Sequence, residues 1–154
     1  MRIQPALAEE ATAIAEVWLR ARRAAVSAIP PPVHTDDDVR SWFREVVVAS
    51  REVWIAEDGG GVVGLLVLDG NWIDQLYVVP ERTGHGIGAM LLATAKRQRP
   101  DGLRLWTFAT NVRAQAFYVR HGFVATDATD GDNEEGAPDI RYVWSPTSDA
   151  APAR

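Results

Sequence analysis

The residues that most constrain the fold lie in the middle of the chain, where an apolar segment meets a glycine-rich turn and a helix-forming run. Trp72–Val79 has the length and apolar character of a strand, and Pro80 stops it. Glycine then occupies every second position, at Gly84, Gly86 and Gly88, before the run AMLLA. A helix that begins there directs unpaired N–H groups and the positive end of its dipole at one point. Because glycine also lets the backbone approach a ligand closely, the segment predicts a site for a phosphorylated ligand.

The spacing of these glycines disfavours the two most familiar nucleotide loops. A Walker loop ends in Lys and Ser or Thr, whereas Gly88 is followed by Ala89 and Met90. The dinucleotide fingerprint G-x-G-x-x-G also fits poorly, since this loop reads G-x-G-x-G and lies in mid-chain, away from the first strand. The phosphorylated ligand is therefore expected to be of a third kind.

Composition narrows the class of protein. The 154 residues suit one domain, and 47% of them are apolar, which is enough for a sizeable core. We expect no membrane span, because no apolar run approaches about twenty residues, and without a signal peptide the expected location is cytoplasmic. The formal net charge of −5 argues against nucleic acid as a partner. The lack of cysteine excludes disulfides, cysteine-based metal sites and an acyl-cysteine intermediate, and we expect no metal.

Periodicity predicts alternating helices and strands in a single domain over residues 1–145, with a flexible tail over residues 146–154. Thr35 is the predicted N-cap of the second helix. The sequence DGGG at 58–61, between two strand-like runs, predicts a hairpin. The other main predicted elements are a helix over Ala11–Arg23, a strand over Leu103–Ala109, a helix over Ala114–His121, and strands over Phe123–Thr126 and Ile140–Trp144.

A second block makes the prediction more specific. Asn111–Phe123, NVRAQAFYVRHGF, resembles the N-x-x-A-x-x-F/L-Y-x-x-x-G-F segment of GNAT-type N-acetyltransferases, and the glycine loop resembles that family's acetyl-CoA loop, Q/R-x-x-G-x-G/A. The two blocks occur in the family's order, and Trp72 to Phe123 is about a third of the chain. Thr83 departs from the motif, which has Gln or Arg there, and Arg82 is displaced by one residue. We therefore expect less side-chain help with the phosphates and no loss of the site.

The resemblance implies an α/β fold of mixed α+β type, with a twisted, mostly antiparallel sheet of about six to seven strands and helices on both faces. In that fold the strands that flank the cofactor helix splay apart, and pantetheine bonds to the edge of the first strand. The resemblance also implies acetyl-CoA as the acyl donor. The cofactor-binding residues that it implies at the pantetheine are Leu76, Tyr77 and Val78, and those at the pyrophosphate are Gly84, His85, Gly86, Ile87, Gly88 and Ala89. It also implies a cofactor contact for Asn111, which is a natural helix N-cap as well.

The implied reaction is acetyl transfer to a primary amine of a small molecule or peptide, by direct attack in a ternary complex, since no cysteine exists to carry the acyl group. The resemblance makes Tyr118 the general acid toward the CoA sulfur, although a core aromatic beside Phe117 would have the same spacing. Asp74, expected on one strand face with Trp72 and Leu76, is the candidate general base. An ordered water is the alternative base.

The acceptor stays open at this level. Several aromatic and charged residues would suit a cationic amine if they met in the fold. They are Trp18, Arg22, His34, Trp42, Trp72 and the acidic run at 130–135. We adopt the simpler interpretation, in which the tryptophans are core and the acidic run is a solvated loop. The alternative function is a non-catalytic acyl-CoA-binding sensor or partner protein of the same fold, and an unrelated nucleotide-binding domain is a third hypothesis. A monomer or a homodimer is expected.

Overall fold

The computed structural model describes residues 1–147 as one seven-stranded sheet with helices on both faces. The elements in chain order are β1 (Arg2–Pro5), α1 (Ala11–Ala24), α2 (Asp36–Trp42), a π-helical segment (Phe43–Val47), α3 (Val48–Ser50), β2 (Glu52–Asp58), β3 (Gly61–Asp69), β4 (Trp72–Val78), α4 (Ile87–Gln98), β5 (Leu103–Phe108), α5 (Val112–Arg120), β6 (Val124–Thr129) and β7 (Asp139–Trp144). The strand order is β1-β2-β3-β4-β5-β7-β6, and only the β4–β5 pair is parallel. The predicted fold class is confirmed.

Local signals in the sequence have the predicted structural effects. The Thr35 hydroxyl accepts a hydrogen bond from the Asp38 N–H at 3.1 Å, as an N-cap does. Gly59 and Gly60 both have positive φ and turn β2 into β3. Most of the predicted tail over 146–154 lies outside the described residues, and the single-domain boundary at residue 145 stays a prediction.

The central strand β3 is buried on both faces, and its side chains divide the core in two. Leu66 and Leu68 point to the face covered by α4 and α5, whereas Leu65 and Val67 point to the face covered by α1 and α2. This arrangement explains why β3 reads as a continuous apolar run without polar alternation. Further buried members of the two clusters are Leu91, Leu92, Phe123 and Trp144 on the first face, and Ile14, Phe43, Val47 and Ile55 on the second.

The position of α4 over the sheet depends on Gly64 in β3. A Cβ atom at this residue would lie 3.0 Å from Leu91 Cδ1 and 3.2 Å from Ile87 Cγ2, which is tighter than most real contacts. The missing side chain therefore lets the first two turns of α4 sit close to β3. Because Ile87 opens α4, this packing also sets the height of the preceding glycine loop above the sheet.

The strands β4 and β5 separate almost as soon as they meet. Their parallel pairing is limited to Trp72 opposite Arg104. On its other edge β4 stays paired with β3 as far as Val78, opposite Gly64. The C-terminal half of β4 therefore borders a gap, and the splay that the family resemblance implied is present.

Candidate active site

The glycine loop presents backbone N–H groups at the mouth of the gap. Gly84 and Gly86 have φ of +80° and +83°, in the left-handed region, and an added Cβ at either position would meet no atom within 4 Å. Gly86 is the N-cap of α4, and His85 beside it is exposed. The first helical bond joins the Met90 N–H to the Gly86 carbonyl at 3.0 Å, so the N–H groups of residues 87–89 have no partner within the helix. Open space and helix-end amides together make a site suited to an anion.

Gly88 differs from the other loop glycines. Its φ is not in the left-handed region, and a Cβ there would contact the Phe117 ring at 3.5 Å, an ordinary van der Waals distance. The third glycine therefore lies where α5 packs against the first turn of α4 and does not shape the loop itself.

The two side chains before the loop bond to the protein itself. The Thr83 hydroxyl donates to the Pro80 carbonyl at 2.9 Å. The Arg82 guanidinium pairs with the Asp58 carboxylate at the end of β2, and this hydrogen bond lowers the pKa of Asp58. With both side chains so engaged, the loop offers the anion main-chain groups, which agrees with the reduced side-chain help expected from the departure at Thr83.

Strand geometry distributes the main-chain groups of β4 between its two edges. The Val79 N–H donates to the Val63 carbonyl of β3 at 2.9 Å. Because successive residues of an antiparallel strand turn their N–H and C=O groups to opposite edges, Tyr77 also faces β3, and Leu76 and Val78 face the gap. The predicted pantetheine contacts of Leu76 and Val78 therefore have main-chain groups turned to the gap, whereas those of Tyr77 are turned to β3.

Tyr118 lies on α5, with its side chain in the core on the face covered by α4 and α5. Its ring is 8% exposed and packs edge-on against Phe117 and Phe123, with centroids 5.2 and 5.4 Å away. Burial raises the pKa of the Tyr118 phenol well above its usual range, so the hydroxyl stays protonated and can donate a hydrogen bond. Asn111 caps the same helix, since its Oδ1 accepts from the Ala114 N–H at 3.2 Å. Its cofactor contact stays a prediction.

Asp74 was expected on one face with Trp72 and Leu76, and the part of this prediction that concerns Leu76 is wrong, because β4 contains a bulge. Val67 pairs with Gln75 and Leu68 pairs with Ile73, so Asp74 is the extra residue with no partner in β3. Leu76 packs under α4, whereas the Asp74 carboxylate accepts a hydrogen bond from Arg51 Nη1 at 2.6 Å. Partial burial raises the pKa of Asp74, and the attraction of Arg51 opposes this rise.

A cavity of about 320 Å³ opens on the face covered by α1 and α2. The residues that line it include Trp18 and Arg22 of α1, Trp42 of α2, His34 of the loop before α2, and Glu134 and Glu135 of the β6–β7 loop. Most residues considered for the acceptor therefore do meet, and the acidic run is not simply a solvated loop. Trp72 is the exception, because it stacks on Trp106 at 6.4 Å elsewhere on the sheet.

Long-range contacts hold the cavity walls together. The Trp18 indole N–H donates to Gln75 Oε1 of β4 at 2.9 Å, and His34 Nε2 lies 3.2 Å from Glu134 Oε2, which joins two loops. The Tyr77 ring packs edge-on against Trp18 at 6.3 Å. Burial raises the pKa of the Tyr77 phenol, and the nearby Arg22 guanidinium lowers it. The Tyr77 side chain therefore contacts Trp18 and Arg22, two residues of the cavity wall, a role that the sequence did not suggest.

These features suit a class of protein that binds an extended, phosphate-bearing ligand between two splayed strands, and the cavity on the face covered by α1 and α2 has room for a second molecule. Comparison with known proteins agrees. Residues 49–125, half of the chain, match the family model described as "Acetyltransferase (GNAT) domain". This protein belongs to the GNAT acetyltransferase family, whose members use acetyl-CoA.

Individual relatives support this assignment. The chain is 34% identical over 98 residues to an uncharacterized N-acetyltransferase of Archaeoglobus fulgidus, covering 53% of this chain and 67% of the other. It is 27% identical over 128 residues to the peptidyl-lysine N-acetyltransferase YjaB of Escherichia coli, covering 81% and 83%. The solution structure of apo YjaB has a TM-score of 0.75 over 93% of this chain and 96% of that one, at 22% identity. YncA of Salmonella typhimurium, solved with its cofactor acetyl-CoA, has a TM-score of 0.70 over 99% and 98%, at 20% identity.

Proposed function

We propose that this protein transfers the acetyl group of acetyl-CoA to a primary amine of a small molecule or peptide, by direct attack within a ternary complex. The observation that carries the proposal is the gap between β4 and β5. The N–H groups of the glycine loop lie at one mouth of this gap, and an acid-lined cavity opens on the face of the sheet that α1 and α2 cover. Donor and acceptor can therefore be bound together, and no cysteine is present to hold the acetyl group between two half-reactions.

On the donor side, the chain's own groups would bind and orient acetyl-CoA. The N–H groups of residues 84–89 would receive the pyrophosphate, and the gap-facing main-chain groups of Leu76 and Val78 would bond to the pantetheine amides as a neighbouring strand does. One of those N–H groups would also be placed to stabilise the oxyanion that forms when the amine attacks the thioester.

On the acceptor side, the amine must lose a proton before it attacks. Asp74, directly or through a water, would take that proton, since its carboxylate interacts with the side chain of Gln75, which lines the cavity. The bond to Arg51 keeps the carboxylate ionised and limits its basicity. Tyr118 would donate its hydroxyl proton, or a hydrogen bond, to the departing sulfur. The name of the relative YjaB, a peptidyl-lysine N-acetyltransferase, supports an amine as the acceptor.

The test measures CoA release with a thiol reagent across a panel of amines and lysine peptides, with the acetylated product identified by mass spectrometry. We expect release to depend on the amine and initial-rate lines that intersect when both substrates are varied. Parallel lines would exclude the ternary complex. Acetyl-CoA binding with no transfer to any acceptor would instead favour the non-catalytic acyl-CoA-binding protein.

A further inference from the structure

The cavity contains a buried guanidinium that the protein does not fully satisfy. Arg22 lies on α1, is 6% exposed and lines the cavity. Its Nη2 donates to the Pro30 carbonyl at 3.2 Å, but its Nε–H has no hydrogen-bond partner within residues 1–147. Buried guanidinium groups are normally bonded at most of their N–H positions, because an unpaired one has lost its hydration without replacement.

The carboxylate nearest to Arg22 does not complete its bonding. Glu135 Oε2 lies 3.8 Å from Arg22 Nη2, which is within ion-pair range but too far for a hydrogen bond. Glu135 is itself 12% exposed and belongs to the β6–β7 loop, which also supplies Glu134 to the cavity. The pair is therefore loose, and a better-placed carboxylate could replace Glu135 as the partner of Arg22.

The other walls do not favour a simple cation. The Arg22 guanidinium lies 4.8 Å from the Trp18 ring centroid, and the Arg51 guanidinium lies 5.5 Å from that of Trp42. Both tryptophans thus already have cations of the chain against their rings, so cation–π binding of an acceptor would have to displace one. Glu134, which is bonded to His34, and Asp38 also line the cavity and would attract an ammonium group.

From this arrangement we infer that the acceptor is an amino acid: a small molecule with both a primary amine and a carboxylate, whose carboxylate binds Arg22. The inference rests on the proposed function and names the substrate class of the same cavity. A planar carboxylate matches the guanidinium fork and would pair with Nη2 in place of Glu135. The Nε–H has no partner but is itself buried, so it joins this contact only when the ligand displaces Glu135. The amine, which the carboxylates of the cavity attract, is then directed toward β4 at Gln75. A doubly charged anion would be repelled by the carboxylates that line the cavity.

The test compares each amino acid with two matched acceptors: its amide, and the amine left when the carboxylate is removed. Lysine, lysine amide and cadaverine form one such set. With the wild-type protein we expect kcat/KM for the amino acid to exceed that for both partners by at least about tenfold, the effect of one charge-assisted bidentate contact. Equal rates across the set, or a preference for cadaverine, would overturn the inference. Failure of every amine to accept acetyl would refute the proposed function instead.

Two variants separate recognition from structure. In Arg22→Met, KM for the amino acid should rise about 10- to 100-fold, while KM for acetyl-CoA stays unchanged and KM for cadaverine does not rise. In Glu135→Gln, the competing carboxylate is neutralised, so KM for the amino acid should fall. Damage to the fold would not lower KM, so Glu135→Gln still tests the inference if Arg22→Met does not fold. A rise in KM for the amino acid in Glu135→Gln would contradict the proposed exchange of partners.

Discussion

The loop glycines can be tested by replacing two of them that look equivalent in sequence. Gly86→Ala places a side chain at φ +83° and ψ 2°, a left-handed conformation that costs an L-residue about 1–2 kcal/mol. No clash adds to this cost, since a Cβ there meets nothing within 4 Å. Strain that is retained lowers the free energy of unfolding and therefore Tm, by about 2–8 °C. If the loop moves to relieve the strain, the binding site changes shape instead, and Kd for CoA rises by up to about 5- to 30-fold.

Gly88→Ala is the matched control. Its backbone is not left-handed, and the new Cβ would touch the Phe117 ring at 3.5 Å without overlap. Alanine in the first turn of a helix is favoured over glycine by up to about 1 kcal/mol, so we expect an equal or higher Tm and an unchanged Kd. Titration calorimetry with CoA and thermal unfolding give both quantities. Wild-type behaviour of Gly86→Ala in both assays, or an equal loss of affinity in Gly88→Ala, would refute the geometry described for this loop.

Three further outcomes follow from the structure. Tyr118→Phe should lower kcat about 10²- to 10⁴-fold with little change in KM for acetyl-CoA, because only a hydroxyl is removed from a packed ring; an unchanged kcat in steady-state assays would remove Tyr118 from the chemistry. In wild type, kcat/KM should fall as the pH drops through the raised pKa of Asp74, since the base must be ionised to accept a proton. The pH profile of Asp74→Asn should lack this fall, and the same fall in both proteins would show that another group accepts the proton. Gly64→Ala should lower the free energy of unfolding by about 1–3 kcal/mol in denaturant titration, because its Cβ would press on Leu91; an unchanged midpoint would show that α4 can move aside.

Features that depend on neighbouring residues could be predicted from the sequence. The hairpin at Gly59 and Gly60, the cap at Thr35 and the start of α4 at Gly86 each follow from backbone preferences within a few residues. The placement of Asp74 failed because a bulge depends on the register of the partner strand. The segment WIDQLYV contains no glycine or proline that would have indicated one.

The two halves of the candidate site differ in the same way. The anion loop is built from consecutive residues and uses main-chain groups, so its chemistry is visible in the spacing of Gly84 and Gly86. The cavity is assembled from α1, α2, β4 and the β6–β7 loop, and its key contact joins Arg22 to Glu135, far apart in the chain. In isolation Glu135 is one acid in a charged loop; only the fold shows that it faces a buried guanidinium with an unpaired N–H. Because the two halves share few side chains, substitutions in the β6–β7 loop should change which amine is acetylated while leaving the affinity for CoA intact.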